Sequence, residues 1–284
     1  MNKIFTAILT LLAFSACSKG EKKYGSPPGY DFAQPVKYKM PEELEEISGI
    51  AFYPGSKELM YAIQDEDGKL FYWKNGNPGS VDHVSFGKHG DYEDLGLTHN
   101  FAIILRSDGI LFTFPIQELK DGALKSVKEW KSLIPEGEYE GLYADPMSDN
   151  LYVLCKNCGA DKKTGYVSGY ILHLDSQGAP ALTGTFKINT QAIPGVTLKS
   201  GLKASALTFN KQTKEWYILS SVHKILIIAD ESWKSKQVVN LNPSLFPQPE
   251  GITFDIDNNL YISNEAGNTA TGTVLKFVLK KPGS

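Results

Sequence analysis

The sequence predicts an all-β protein: a single β-propeller of five four-stranded blades, closed into a ring by an N-terminal strand. Two observations carry this prediction. A short pattern occurs five times, with successive copies starting 45, 47, 65 and 45 residues apart, and each copy is followed by segments rich in aromatic and β-branched residues. A repeated four-stranded unit of about 40 to 50 residues is typical of propeller blades. The copies are residues 47–52, 92–97, 139–144, 204–209 and 249–254.

The remaining strands of each blade follow its copy of the pattern in order. Second strands are predicted at residues 59–63, 101–105, 151–154, 216–219 and 260–262, and third strands at 70–73, 110–114, 170–174, 225–228 and 274–278. The fifth unit has only three strands, so we expect residues 36–40 to complete it and to remove an exposed sheet edge. The 65-residue interval is either a blade with an extended hairpin near residues 156–169 or the remnant of a sixth blade. Five blades is the preferred interpretation.

Composition and charge narrow the function classes. With 42% hydrophobic and 21% charged residues, the chain is typical of a soluble globular protein and unlike a disordered one. The formal net charge of -3 argues against a nucleic-acid partner, which would need a basic stripe.

The N-terminus has the pattern of a bacterial lipoprotein signal. Lys3 precedes an apolar run over residues 4–14, which is shorter than the roughly 20 residues that a membrane-spanning helix needs. Small residues precede Cys17, the position at which such signals are lipidated. The predicted domains are a signal peptide at 1–16, a lipidated Cys17 with a flexible tether over 17–35, and the propeller over 36–284. A lipid on Cys17 would anchor the protein in the bacterial cell envelope, facing the periplasm or the cell surface. The alternative is an ordinary signal peptide cut nearby.

Several phrases of the sequence resemble the SdiA-regulated family of exported bacterial β-propellers. They are EISGIAF, GDYEDLGL, YEGLYADP, ASALTFN and QPEGITFDIDNNLYISNEAG, and the resemblance extends over about residues 36 to 279. It implies a periplasmic or membrane-anchored propeller, in a family with some members linked to calcium and likened to phytases.

The repeat predicts which side chains line the central channel. Equivalent positions of a ring point to a common axis, so one column brings together Glu93, Glu140 and Glu250, with Ser48 and Ser205 in the other two blades. A second column, just after the second strands, contains Asp65, Arg106, Lys156, Ser221 and Glu265. Carboxylate oxygens are the ligands that calcium prefers, so calcium is the candidate cofactor. Arg106 and Lys156 would pair with these carboxylates or hold an anion.

The same glutamates also have a structural interpretation. A glutamate before glycine on an innermost strand could bond to backbone groups of the next blade and hold the ring shut. Charge clusters mark structure as well as function, and both interpretations stay open at this point.

Cys155 and Cys158 form a CxxC sequence at the end of a strand in the third blade. In an oxidising compartment outside the cytoplasm we expect a disulfide that closes a tight turn. A thioredoxin-like redox role would need a βαβ context, and a zinc site would need two further ligands at suitable spacing.

Three functions from different classes follow. The preferred one is a membrane-anchored propeller that binds a cation, with calcium first, or a small polar ligand at the mouth of its channel. The second is a calcium-dependent hydrolase, a phosphoesterase or lactonase, that uses the same carboxylates; the chain contains no recognised catalytic motif. The third is a scaffold that binds a protein partner on its rim.

Overall fold

The computed structural model describes residues 24–196, 198, 201–267 and 271–280. Antiparallel sheets make up its body; their inner strands are buried along nearly their whole length, and exposed residues are concentrated in outer strands such as Asp82–His89. These residues contain strands, turns and short 3-10 helices at Glu42–Leu44, Ile116–Asp121, Gly159–Asp161 and Thr190–Ala192. None of their helices is long and apolar enough to cross a bilayer. The predicted signal peptide and Cys17 lie outside the described residues.

Each of the five sheets has four strands, which confirms the predicted five-bladed propeller. Blade 1 consists of β2 (Ile47–Phe52), β3 (Leu59–Gln64), β4 (Asp67–Lys74) and β5 (Asp82–His89); blade 2 of β6 (Tyr92–Leu97), β7 (Phe101–Arg106), β8 (Leu111–Pro115) and β9 (Lys128–Trp130). Blade 3 consists of β10 (Gly137–Asp145), β11 (Asn150–Cys158), β12 (Tyr166–Leu174) and β13 (Pro180–Asn189); blade 4 of β14 (Ala206–Asn210), β15 (Glu215–Ser220), β16 (Ile225–Ala229) and β17 (Ser235–Asn240). Blade 5 consists of β18 (Pro249–Phe254), β19 (Leu260–Asn264), β20 (Thr273–Phe277) and β1 (Val36–Lys39).

The ring is closed by β1, the first strand of the chain. It pairs antiparallel with β20, with Val36 opposite Lys276 and Lys39 opposite Thr273. This pairing gives the last blade its fourth strand and covers the edge of β20, as the sequence predicts. The innermost strands β2, β6, β10, β14 and β18 contact one another in ring order.

The described residues of the long interval between the third and fourth copies form an extended hairpin and part of a crossing segment, and they do not form a sixth blade. Strands β11 and β12 continue well beyond the length of their counterparts in blade 4. The chain then crosses from β13 to β14 through a short 3-10 helix at Thr190–Ala192.

The residues just before β1 are packed onto the propeller. Phe32 is 4% exposed, and its ring lies 4.4 Å from that of Phe277 in β20. The buried Tyr30 donates a hydrogen bond from its hydroxyl to the carbonyl of Asn258 at 2.7 Å. The packed body of the protein therefore begins before residue 36, because these aromatic residues in the predicted tether bury their rings against blade 5.

The core lies between neighbouring blades. Buried aliphatic residues on the facing sides of blades 2, 3 and 4 form one continuous cluster that includes Ile103, Val153 and Ile218. Close contacts at the centre require small residues: a Cβ on Gly96 would lie 2.6 Å from the Cβ of Ala144 in the next blade. The rigid ring of sheets fixes the positions of the side chains at either end of the channel.

Candidate functional site

The residues predicted from the two columns meet at one end of the channel, which we call the channel mouth. Within a blade, the innermost strand runs antiparallel to the second strand, so the start of one lies beside the end of the other. Tyr92 at the start of β6 pairs with Arg106 at the end of β7, and Pro249 pairs with Asn264 in the same way in blade 5. The topology therefore brings both columns to the same end of the ring.

Irregular pairing redirects the glutamates of the first column. In β6, Tyr92 pairs with Arg106 and Asp94 with Leu105, so Glu93 is skipped. Glu140 in β10 and Glu250 in β18 are skipped in the same manner. A β-bulge of this kind re-aims a side chain and interrupts the normal alternation. Because of the bulges, the three glutamates do not follow the alternation that directs the side chains of a regular strand to the faces between blades.

Glu140 is committed to an ion pair. Its carboxylate is 4% exposed, and its Oε1 contacts the ammonium of Lys156. The same ammonium lies 3.5 Å from Oε1 of Glu138. Lys156 is itself skipped in the pairing of β11, between Cys155 and Asn157, which turns it towards β10. This pair balances the charge of Glu140 within blade 3.

Three other carboxylates form an oxygen cluster at the mouth. Glu46, Asp65 and Glu265 each offer an oxygen, and the three oxygens lie within 4.8 Å of one another. Asp65 Oδ1 is buried and has no hydrogen-bond partner among the described residues. Glu265 is 8% exposed, and its Oε2 accepts a hydrogen bond from Nε2 of Gln248. We call these three residues the carboxylate trio.

Backbone hydrogen bonds hold the trio in place. The amide of Asp65 donates to the carbonyl of Glu46 at 3.4 Å, which joins the end of β3 to the residue before β2. The amide of Glu265 donates to the carbonyl of Gln248 at 3.0 Å, and the amide of Ala266 donates to the carbonyl of Glu45 at 2.7 Å. The last bond connects blade 5 to blade 1, so the trio lies across the junction of these two blades.

Asp65 and Glu265 of the trio are protonated more readily than ordinary carboxyl groups. Burial, and then the charge of Glu46, raises the pKa of Asp65 to about 6. Burial, and then the charges of Glu250 and Asp65, raises the pKa of Glu265 to about 8. Both shifts have the cause expected for carboxyls that are withdrawn from water and placed beside one another. The positive charge of Lys156 acts in the opposite direction on Glu265, but its effect is smaller.

The two remaining glutamates of the first column adjoin this cluster. Burial, and then the charge of Asp91, raises the pKa of Glu93 to about 9. Burial also raises the pKa of Glu250, against the opposing effects of the Ser221 hydroxyl and of Lys156. Blades 5, 1 and 2 thus form an acidic half of the mouth.

The side chain of Arg106 pairs with carboxylates of its own blade. Its Nε and Nη2 donate to the two carboxylate oxygens of Asp108 at 3.0 and 2.8 Å, and its guanidinium lies over the ring of Phe112. Its Nη1 lies 4.0 Å from Glu129 on the outermost strand of blade 2. A planar guanidinium prefers this two-point contact with a carboxylate in the adjacent turn. Among the described residues, its ion-pair partners are Asp108 and Glu129, and neither is one of the predicted channel carboxylates.

Blade-to-blade fastening is carried out by Asp94, the residue after Glu93. Its side chain is 4% exposed, and burial raises its pKa well above the ordinary range. Oδ1 accepts the amide of Leu95 at 2.8 Å, and Oδ2 accepts the amide of Leu142 in the next blade at 2.7 Å. Gly49 leaves room for it, because a Cβ there would lie 2.4 Å from Oδ1. The column of glutamates did not predict this role for Asp94. A signal was present in the repeat, because the equivalent position is glycine in three other copies.

Cys155 and Cys158 form a disulfide whose Cα atoms lie 6.1 Å apart. It closes the end of β11 beside Lys156, at the edge of the mouth. Asp161 lies next to both sulfurs. However, its carboxylate accepts hydrogen bonds from the amide and the hydroxyl of Ser168, at 2.9 and 2.6 Å. The sulfurs of a disulfide and an occupied carboxylate do not make a metal site.

The opposite end of the channel has a different character. There the innermost strands end around a cavity of about 410 Å³, lined mainly by apolar and aromatic side chains such as Phe52, Phe209 and Phe254. The carboxyl groups with raised pKa values that the two columns and the trio supply, such as Glu93 and Glu265, lie at the mouth instead.

Fold and site together define a five-bladed β-propeller with a carboxylate-rich channel mouth. Residues 188–268 match the family model described as SdiA-regulated, which confirms the resemblance over that part of the chain. The matched segment contains Glu250 and Glu265. A comparison with curated proteins gave no significant match.

Solved structures of other propellers share this architecture. A luciferin-regenerating enzyme is 12% identical, with a TM-score of 0.54, and the match covers 88% of this chain and 96% of that protein. The glutaminyl cyclase of Myxococcus xanthus is 13% identical, with a TM-score of 0.56, and the match covers 86% of this chain and 94% of the cyclase. At such low identity, the likeness concerns the fold alone.

Proposed function

We propose that this protein binds calcium at the channel mouth and that it does so as a lipid-anchored protein of the bacterial cell envelope. The observation that carries the cation proposal is the carboxylate trio. Three carboxylates from the junction of blades 5 and 1 converge there, and the pKa values of two of them are raised because they share a buried, acidic environment.

The donor set fits calcium in chemistry and in size. Calcium takes oxygen ligands at 2.3 to 2.6 Å, so two oxygens on one ion lie at most about 5 Å apart. The trio meets this limit with separations within 4.8 Å. Asp65 Oδ1 is also a free acceptor for a cation, because it is buried and has no hydrogen-bond partner among the described residues. Leaving such an atom unpaired costs on the order of 1 to 3 kcal/mol, which a bound cation would offset.

Each mouth residue has a distinct proposed role. Glu46, Asp65 and Glu265 would hold the ion, while Glu93 and Glu250 would add negative charge around it. Glu140 would act through Lys156, by fixing an ammonium group at the edge of the site. Bound calcium would supply a fixed double positive charge able to polarise an oxygen of a ligand.

The proposed location depends on the N-terminal sequence. The disulfide of blade 3 agrees with an oxidising compartment outside the cytoplasm. The experiment is fractionation of cells that express the full chain, comparing wild type with Cys17→Ser. We expect wild type in the membrane fraction, carrying acyl groups detectable by mass spectrometry, and the variant without them. An unacylated wild-type protein in the soluble fraction would contradict the anchor.

Hydrolysis is the second candidate function, and the position of Lys156 favours it. An ammonium group beside a cation site can stabilise negative charge on a phosphate ester or an opening lactone. Turnover of such substrates only with calcium would support a hydrolase, while calcium binding without turnover would support a binding protein. A scaffold that binds a protein partner on its rim would require neither calcium binding nor turnover.

Calorimetric titration of calcium into metal-stripped residues 18–284 tests the proposal. Wild type should bind saturably, and the triple variant Glu46→Gln, Asp65→Asn, Glu265→Gln should not. A matched control is Glu58→Gln, Asp82→Asn, Glu231→Gln, which removes the same charges from exposed positions outside the mouth and should bind like wild type. Absence of binding by wild type, or equal losses in both triple variants, would reject the site.

A further inference from the structure

A large cavity lies beside the channel mouth, between the extended hairpin of blade 3 and the segment that crosses to blade 4. Its volume is about 620 Å³, and four of its lining residues are lysines: Lys156, Lys162, Lys163 and Lys203. Small-molecule sites typically measure about 300 to 1,000 Å³. The cavity is therefore large enough for an organic ligand rather than a single inorganic ion.

The positive charge of this lysine cavity is largely unbalanced. Lys156 is paired with Glu140, but Lys162, Lys163 and Lys203 form no ion pair with any described residue. The half-buried Lys203 donates from Nζ only to the amide oxygen of Asn157, at 3.0 Å. Lysine ammonium groups without a counter-ion are common binders of phosphate groups.

The one acidic side chain on the cavity wall, Asp161, does not cancel this charge. Both of its oxygens accept hydrogen bonds from Ser168, at 2.9 Å from the amide and 2.6 Å from the hydroxyl. These bonds direct the carboxylate towards β12 and leave it little capacity for the lysines.

The walls of the cavity are fixed by covalent and hydrogen bonds. The disulfide between Cys155 and Cys158 closes the hairpin next to Lys156. On the other side, the Thr190 hydroxyl and amide both donate to the carbonyl of Gly165 at 2.9 Å. Such bracing fixes the walls from which the lysines extend, and a preformed site loses less entropy on binding.

We infer that the lysine cavity binds a small phosphorylated molecule, with its phosphate groups held by Lys162, Lys163 and Lys203. This inference goes beyond the proposed function, because it requires no cation. The ligand would lie with one end next to the Lys156–Glu140 pair and so border the acidic half of the mouth. The mouth as a whole is then divided into a cation-binding half on blades 5, 1 and 2 and an anion-binding half on blades 3 and 4.

The test uses inorganic pyrophosphate as the probe, titrated calorimetrically into residues 18–284 in a buffer that contains a chelator. We expect saturable binding with one pyrophosphate per chain. The variant Lys162→Gln, Lys163→Gln, Lys203→Gln should bind at least about 10-fold more weakly, because three favourable charge interactions are lost.

The control variant is Lys88→Gln, Lys187→Gln, Lys234→Gln, which removes the same net charge from exposed positions on blades 1, 3 and 4 outside the cavity. Its affinity should stay within about twofold of wild type. Lys203→Arg should retain binding, because the positive charge is kept. Failure of wild type to bind pyrophosphate, or equal weakening in both triple variants, would overturn the inference. The chelator keeps this result separate from the calcium experiment.

Discussion

Calcium affinity should rise steeply with pH, because protons compete with the ion for the trio. The pKa of Glu265 is raised to about 8 and that of Asp65 to about 6, so at pH 6 Glu265 is almost fully protonated and Asp65 is about half protonated. Calcium binds the deprotonated forms and must displace these protons. Raising the pH from about 6 to about 8 removes this competition by a factor of about 50 at Glu265 and about 2 at Asp65. The association constant should therefore increase about 100-fold.

The assay is calorimetric titration of calcium at three pH values between 6 and 8, in two buffers with different ionisation enthalpies. The buffer dependence of the heat gives the number of protons released per ion bound. At pH 7, Glu265 should account for most of the release, since its pKa lies above that pH. Glu265→Gln should bind more weakly, and its affinity should change only about twofold over the same pH range.

A pH-independent affinity with no proton release would refute this reasoning. It would mean that the ion is held by groups that are already ionised at pH 6. A variant that kept the full pH dependence without Glu265 would place the titrating group elsewhere in the mouth.

Three predictions concern the scaffold, and urea unfolding followed by tryptophan fluorescence checks each. Asp94→Asn should destabilise the fold by about 1 to 3 kcal/mol, because the amide replaces one acceptor and leaves the Leu142 N–H unsatisfied; an unchanged midpoint would remove Asp94 as a fastener. Gly96→Ala should cost about 1 to 3 kcal/mol, because its new Cβ would overlap Ala144; a neutral effect would show that the blades can separate there. Phe32→Ala should cost about 3 kcal/mol, because the buried ring leaves a cavity; a loss below about 0.5 kcal/mol would mean that the N-terminal segment adds no stability.

The blade architecture could be predicted from the sequence because it depends on local repetition. Each blade repeats the same order of strands, so the five copies fix the number of sheets and the identity of the innermost strands. The closing strand was predictable for a related reason: a fifth unit with three strands leaves an edge, and β1 supplies the partner for β20. The spacing of the five copies did not predict where the packed body begins, because Phe32 lies outside the repeat.

The mouth was predictable in position and less so in detail. Columns of the repeat bring Asp65, Lys156 and Glu265 to one end of the channel, because antiparallel pairing is the same in every blade. Arg106 shares their column but turns to Asp108, a partner that only the neighbouring turn provides. Side-chain direction at a strand end depends on such local partners, and the column alone does not contain that information.

Two residues with roles in the site or the scaffold could not be predicted from the columns of the repeat. Glu46 directly precedes the first copy of the repeat, and it joins the trio because blade 5 packs against blade 1 at that point. The role of Asp94 could not be predicted from the column that contains Glu93, because in a regular strand the side chains of two consecutive residues point to opposite faces. The bulge at Glu93 changes that arrangement. A more general signal was available in the repeat, where an aspartate replaces the glycine of other copies.

The division of the mouth into acidic and basic halves follows from which blades supply each residue. Glu265 and Asp65 come from blades 5 and 1, whereas Lys156 and Lys203 come from blade 3 and the segment leading into blade 4. A ligand that carries both a bound cation and phosphate groups would match both halves. This arrangement connects the proposed calcium site with the lysine cavity while leaving each separately testable.

Anomalous diffraction from crystals of residues 18–284 grown with calcium tests the central proposal most directly. The account predicts one strong calcium peak between Glu46, Asp65 and Glu265, with carboxylate oxygens about 2.3 to 2.6 Å from the ion. The peak should be absent from crystals of the Glu46→Gln, Asp65→Asn, Glu265→Gln variant. A wild-type map without density at the trio, at calcium concentrations in the millimolar range, would contradict the proposed cation site.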